Sequence, residues 1–214
     1  MSLPSQIIAV LGSKGGTGKT TLAHLLGVGF TGVSYQGEPL NVAVLLTDPS
    51  REPVAQPGRR YRFYDAREPE RLHELLRKAA HSTGWILVVD GGGNRPAFDE
   101  VVAQAADLVL LPFRDSAEDA RTVAADLRRL PMAYGLPSQW PTNAYARPAA
   151  ERLVQELLRE FVAAGRVLPP VNACRATSEL LKYTLEGRLA TALLTEARAL
   201  TRLVWERLQV RRQE

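Results

Sequence analysis

The 214-residue chain carries a net charge of +4, is 45% hydrophobic and 23% charged, and contains a single cysteine, Cys174. That balance suits one globular domain over residues 1–214 and excludes a disulfide framework or a cysteine-ligated metal site within one chain. No apolar run approaches the ~20 residues that cross a bilayer, and "MSLPSQIIAV" lacks the basic lead-in of a signal peptide, so a cytoplasmic protein is expected.

In chain order, "QIIAVLG" (6–12) reads as a strand buried on both faces, and a glycine-rich loop leads from it into a helix over 19–29. A turn-rich loop (31–40) precedes a second buried strand, "NVAVLLT" (41–47), which Asp48 closes. "RYRFYD" (60–65) is a weaker strand, and Asp65 is expected to start a helix over 67–82. "WILVVD" (85–90) ends on Asp90, and a helix over 96–106 and the strand "DLVLLPF" (107–113) follow. Ser116 starts a helix over 116–130, and the proline-rich 131–147 leaves room for only a short strand. Helices are expected over 147–164, 175–186 and 190–212. Strand–helix alternation predicts an α/β fold, a mostly parallel twisted sheet with helices on both faces, which binds ligands at the carboxyl ends of its strands.

Ser13 to Thr20 fits G-x-x-x-x-G-K-[ST], with serine in the first glycine position. In such a P-loop, successive backbone amides curl round phosphates, and the following helix points its positive end at the same anion. Lys19 would reach the β- and γ-phosphates and the Thr20 hydroxyl would ligate Mg²⁺. Hydrolysis also needs carboxylates near the metal and the attacking water, and Asp48 and Asp90 stand at strand ends where this fold puts them. Either could instead cap a turn. Lys14 stands five residues before Lys19, too early to serve the same purpose.

The stretch Lys14-Gly15-Gly16-Thr17-Gly18-Lys19-Thr20-Thr21 resembles the deviant Walker A motif of the ParA/MinD superfamily of P-loop ATPases, which position DNA, division machinery and other cargo. The resemblance implies that two chains close face to face on two ATP molecules and that Lys14 crosses to the partner's phosphates. Without Cβ atoms at Gly15 and Gly16 two backbones can approach closely, and phosphate offers a partner to a lysine that its own loop cannot use. It further implies that residues 14–21 contact the nucleotide, that Asp90 holds Mg²⁺ directly or through water, and that Asp48 orients or deprotonates the attacking water.

Two departures bear on hydrolysis. Leu46 replaces the first aspartate of the family's D-x-D-P switch, and Gly91-Gly92-Gly93-Asn94 replaces a proline-containing switch after Asp90. Slow, partner-stimulated turnover is therefore expected. Asn143 resembles the asparagine that contacts the purine, and "LPPVNACRATSELLKYTLEGR", with Pro169 and Pro170 at its start, resembles the stretch that closes over the base. A plain loop fits those later residues nearly as well. No [NT]-K-x-D signature is present, so adenine is favoured over guanine.

A lone cysteine argues against a metal-cluster carrier. Leu200, Leu203, Val204 and Leu208 form one stripe that could face a membrane as in MinD, although a last helix packed on the core is the stronger reading. A metabolic synthetase of similar fold is the alternative from another class. The favoured reading is a short ParA-like partition ATPase without an N-terminal helix-turn-helix, acting with ATP and Mg²⁺ as a homodimer. It would bind double-stranded DNA without reading sequence, associate with the nucleoid when ATP-bound, and answer to a ParB-like or cargo adaptor protein. Of 27 basic residues only four are lysines, and the DNA-contact candidates are Arg128, Arg129, Arg198, Arg202, Arg207, Arg211 and Arg212.

Overall fold

The structure is a computed structural model that describes residues 3–53, 58–92, 95–172 and 190–211. Its strands are β1 (Gln6–Val10), β2 (Ser34–Tyr35), β3 (Glu38–Pro39), β4 (Asn41–Leu46), β5 (Arg62–Asp65), β6 (Trp85–Asp90), β7 (Leu108–Phe113) and β8 (Ala133–Pro137). The described helices are α1 (Lys19–Phe30), α2 (Pro69–Ala80), α3 (Pro96–Ala105), α4 (Ala117–Arg129), α5 (Ala146–Leu157), α6 (Arg159–Ala163) and α7 (Thr191–Arg211). Six strands form one sheet in the order β5-β4-β6-β1-β7-β8, and every pairing in it is parallel.

Period-two alternation along the strands feeds two cores. Ile8, Val10, Val42, Val44, Ile86, Val88, Leu108 and Leu110 meet α1 and α7 on one face. Ile7, Ala9, Leu11, Leu45, Leu87, Val89, Val109 and Leu111 meet α2 to α6 on the other. Helix α1 is buried nearly all round because the sheet lies on one side of it and α7 on the other. The stripe of α7 is spent on this packing: Leu200, Val204 and Leu208 are buried and Leu203 packs against the same cluster. No described helix is long and apolar enough to cross a membrane.

Three local expectations are corrected. Asp65 does not start α2; it ends β5 in register with Leu46, and the helix begins after Glu68 with Pro69 in its first turn. The loop over 31–40 contains a hairpin of β2 and β3, turned at Gln36 (φ 52) and Gly37 (φ 87). The helix expected over 147–164 breaks at Leu158, whose φ of −118 takes it out of the helical region while its side chain is fully buried. The short strand expected in the proline-rich stretch is present as β8, an edge strand of the main sheet. Ser116 does cap α4, accepting from the Asp119 amide at 3.1 Å. The helix expected over 175–186 lies outside the described residues.

Candidate functional site

The loop that leaves β1 sits at the carboxyl end of the sheet, between the ends of β6 and β7. Gly18 precedes α1 with a φ of 94, a left-handed conformation that a side chain would strain, and a Cβ there would press on Ser138 and Gln139. No side chain caps the first turn of α1 and no acidic residue occupies it, so its amides remain available to an anion. Buried Lys19 folds back along the loop, where its ammonium donates to the carbonyls of Gly12 (3.1 Å) and Lys14 (2.7 Å). Burial lowers its pKa from the usual lysine value.

Beneath the loop, the Thr20 hydroxyl donates to Asp90 Oδ1 at 3.2 Å. The other oxygen, Asp90 Oδ2, is buried without a hydrogen-bond partner among the described residues, and burial pushes this carboxyl up to about 6. A hard cation fits this pair of oxygen donors, and Mg²⁺ characteristically takes one carboxylate and leaves its other positions to water and phosphate. Thr47, missed by the sequence reading, holds the end of β6 by donating its hydroxyl and amide to the Asp90 carbonyl at 2.9 and 3.2 Å. Leu46 is buried and in register with Asp90, so an aspartate there would add a second buried charge beside it.

Asp48 follows directly, its side chain partly buried at the mouth of the site. Its Oδ1 accepts the amide (3.0 Å) and hydroxyl (2.6 Å) of Ser50, and its Oδ2 accepts Arg51 Nε at 3.2 Å. Partial burial works to raise its pKa, but those hydrogen bonds prevail and hold it below the usual value. Asp48 therefore caps a turn and also faces the loop after Asp90, where a Cβ on Gly92 would lie 3.4 Å from the Asp48 Cα. Gly91 is required by packing, since a Cβ would come within 2.7 Å of Leu11 Cδ2 and 2.8 Å of the Val10 carbonyl. Gly93 and Asn94 lie outside the described residues.

The expectation that Lys14 has no use within its own chain does not hold. Its ammonium pairs with Asp119 Oδ1 at 2.6 Å and Glu118 Oε1 at 2.9 Å, at the start of α4. Asp119 is buried and also accepts Arg114 Nε (3.0 Å) and the Ser116 hydroxyl (2.8 Å). Burial opposes ionisation there, and the three donors overcome it, holding the carboxyl far below the carboxylate range. Ser13, which stands in a glycine position of the motif, is also explained: its amide and hydroxyl donate to Asp126 at 2.9 and 2.6 Å. From the far side, Ser138 donates to the Thr17 carbonyl and Gln139 Nε2 to the Gly16 carbonyl at 3.2 Å. No local motif marks Asp119, Asp126, Ser138 or Gln139.

Asp99 on α3 is a second buried acid that sequence reading missed. It is fully buried, and neither oxygen has a close hydrogen-bond partner among the described residues. Burial pushes it up to about 6, against the pull of the Gly12 amide and of the Lys19 and Arg129 charges and with the repulsion of Asp126. Its folded pKa exceeds the ordinary value of 3.8, so the stability it contributes is present below that value and lost as pH rises to about 6. The nucleotide-free protein is accordingly expected to be more stable near pH 5 than near pH 7, and Asp99→Asn to gain roughly 1–3 kcal/mol at neutral pH. Denaturant titrations at the two pH values check this; an unaltered pH dependence in the variant would refute the assignment.

The proposed base contacts are less closely tied to the loop. The Asn143 carboxamide oxygen accepts the amides of Tyr145 (3.1 Å) and Ala146 (2.7 Å), a cap at the start of α5. Pro169 is exposed, in a segment that runs beside β8 through the bonds Leu168 N to Gly135 O and Val171 N to Pro137 O, both short of 3 Å (2.8 and 2.9 Å). The rest of the stretch expected to close over the base, residues 173–189 with Cys174, lies outside the described residues.

No protein-family model and no curated protein matches this sequence. Solved structures do match its fold. A Borrelia burgdorferi B31 protein assigned to plasmid partition, bound to AMPPNP, superposes with a TM-score of 0.65 at 10% identity, over 94% of this chain and 99% of that one. The chain has the fold of the ParA/MinD P-loop ATPases. MinD of Aquifex aeolicus shares this fold at a TM-score of 0.63 and 15% identity, over 98% of this chain and 97% of its own. Cobyrinic acid a,c-diamide synthase of Mycobacterium smegmatis, with ADP and magnesium bound, shares it at 0.58 and 15%, over 96% of each chain. The same fold thus serves a plasmid partition protein, a cell division protein and a synthase, and the site must decide between such roles.

Proposed function

We propose that this protein is a ParA/MinD-type positioning ATPase that dimerises on ATP–Mg²⁺. The observation that carries this reading is the loop itself: two lysines on one P-loop, only one of which turns inward. Lys19 lies along the loop, where the β- and γ-phosphates would bind, while Lys14 points away from it to the start of α4. Gly15, between them, has nothing within 4 Å of where its Cβ would be and no strained φ. Crowding within one chain does not demand glycine there, whereas the close approach of a second chain would.

In this reading Thr20 and Asp90 would hold Mg²⁺, which would supply positive charge to offset that of the nucleotide's phosphates. Lys19 and the amides at the start of α1 hold the phosphates. Asp48 orients the water, and Lys14 exchanges its carboxylates for the phosphates of the partner subunit. Dimer formation and nucleotide hydrolysis in the presence of a cargo adaptor would together test the cycle. The synthase fold-mate keeps a metabolic role as the second reading, favoured if ATP turnover requires a small carboxylic acid and no dimer forms. Burial of the α7 stripe argues against a membrane anchor in that helix.

The DNA-contact candidates divide. Arg128 pairs with Glu160 and Arg129 with Glu100 and Asp126, while Arg207 stacks over Tyr134. Arg198 and Arg202 are exposed, and no ion pair involves them among the described residues. Arg212 and the side chain of Arg211 lie outside that set. The ATP-loaded dimer is expected to retain duplex DNA of any sequence at low salt, with each phosphate contact adding about 0.9 to the slope of log affinity against log salt. Replacing one contact arginine should flatten that slope by about one. Filter binding across a salt series measures it; no DNA retention by the ATP form at low salt would remove DNA from the proposal.

A further inference from the structure

Away from the P-loop, the carboxyl-terminal end of α1, the loop over residues 58–61 and one face of α7 enclose a cavity of about 730 Å³. This lies within the range of small-molecule sites, roughly 300–1,000 Å³. Its walls include Val28, Val33, Leu194 and Ala197, with Trp205 held edge-on against Phe30 at 6.1 Å between ring centroids.

Among the described residues, three arginines border the same space. Arg198 and Arg202, one helical turn apart, come from α7, and Arg60 comes from the loop before β5. All three are exposed, and none makes an ion pair or hydrogen bond among the described residues. Among the described residues, no aspartate or glutamate lines the cavity. Thr201, also in the lining, is only 3% exposed, and its buried hydroxyl packs against Gly29 of α1. Among the described residues the surroundings are therefore apolar within and cationic at the border.

We infer that this cavity binds a small amphiphilic anion, a carboxylate or phosphate head on an apolar body. The guanidinium forks of Arg60, Arg198 and Arg202 would take the head, since their planar donors match two-oxygen acceptors. The body would lie along Leu194, Ala197 and Trp205, where leaving water is favourable. Charge decides the class: a cation of the same size would face three like charges, and a neutral ligand would leave them without a counterion. Concavity favours a small molecule over a duplex, whose phosphates lie on a convex rod.

The test uses the full-length protein and the fluorescent anion 1-anilinonaphthalene-8-sulfonate, with decanoate and decyl phosphate as competitors and decyltrimethylammonium as the cationic control. One saturable site is expected. Both anions should displace the probe, and the better of the two identifies the head group. The double variant Arg198→Ala/Arg202→Ala should weaken probe binding roughly tenfold or more. Lys19→Ala and saturating ATP–Mg²⁺ should leave it unchanged, which separates this site from the nucleotide loop. Trp205→Phe provides a second variant, expected to change the fluorescence response while the anions still compete. Displacement by ATP, equal competition by the cation, or unaltered affinity in the arginine variant would each overturn the inference. So would loss of DNA retention in that variant when wild type binds neither small anion, an outcome that would assign these arginines to DNA.

Discussion

Lys14→Ala is expected to bind ATP–Mg²⁺ with near wild-type affinity and to remain monomeric under conditions where the wild type dimerises. The substitution leaves the nucleotide loop intact, because Lys19 bonds to the main-chain carbonyl of residue 14, which alanine retains. It also leaves the fold intact: buried Asp119 keeps Arg114 and Ser116 as donors, and Glu118 is largely exposed. Only the mobile charge at the front of the loop is lost. Gly15→Ala is the steric counterpart, since its new methyl meets nothing in one chain yet would stand between two. Lys19→Ala should instead lose about two orders of magnitude in nucleotide affinity, because a charge-assisted phosphate contact is removed from a buried position. Light scattering with ATP and with ADP, together with nucleotide titration, separates the three. Full dimerisation of Lys14→Ala would confine that lysine to its salt bridges with α4.

Asp48→Ala is expected to retain the ATP-bound dimer and to reduce turnover about 10²- to 10⁴-fold, the range that general acid–base groups contribute. The structure makes one control necessary, because Asp48 has a second role as the cap of the turn over Ser50 and Arg51. Asp48→Asn preserves the oxygen that accepts the Ser50 amide while removing the carboxylate charge. If both variants lose turnover, the carboxylate acts on the water. Should the asparagine variant hydrolyse ATP at the wild-type rate while alanine does not, the residue only shapes the loop, and the catalytic group must be sought elsewhere, with Asp90 the next candidate.

Features that depend on immediate neighbours are legible in the sequence. The glycines and lysines of 14–21 declare a phosphate loop because its curvature and its helix are local properties of the chain. Asp48 and Asp90 could be picked out because each closes a run of buried strand residues, and parallel strands present their carboxyl ends to one edge. Leu158 and Asp65 misled for a related reason. Periodicity and capping preference describe an isolated segment, whereas burial of Leu158 and the pairing of β5 with β4 overrode both.

The sequence by itself determined the strand–helix alternation, the two faces of the sheet, the glycine-rich loop between β1 and α1, and the carboxylates that follow β4 and end β6. Only the tertiary structure decided how that loop is held and where its second lysine rests. Lys14 meets Asp119 and Glu118, Ser13 meets Asp126 at a separation of 113 residues, and Thr17 meets Ser138 at 121. The same holds for Asp99, whose isolation beneath Gly12 comes from the packing of α3 on β1, and for the arginine-bordered cavity between α1 and α7. Such contacts join residues brought together by strand order and crossover. No pattern within a short window carries that order, because parallel neighbours in this sheet are separated in sequence by long connections, all but that between β4 and β5 containing a described helix.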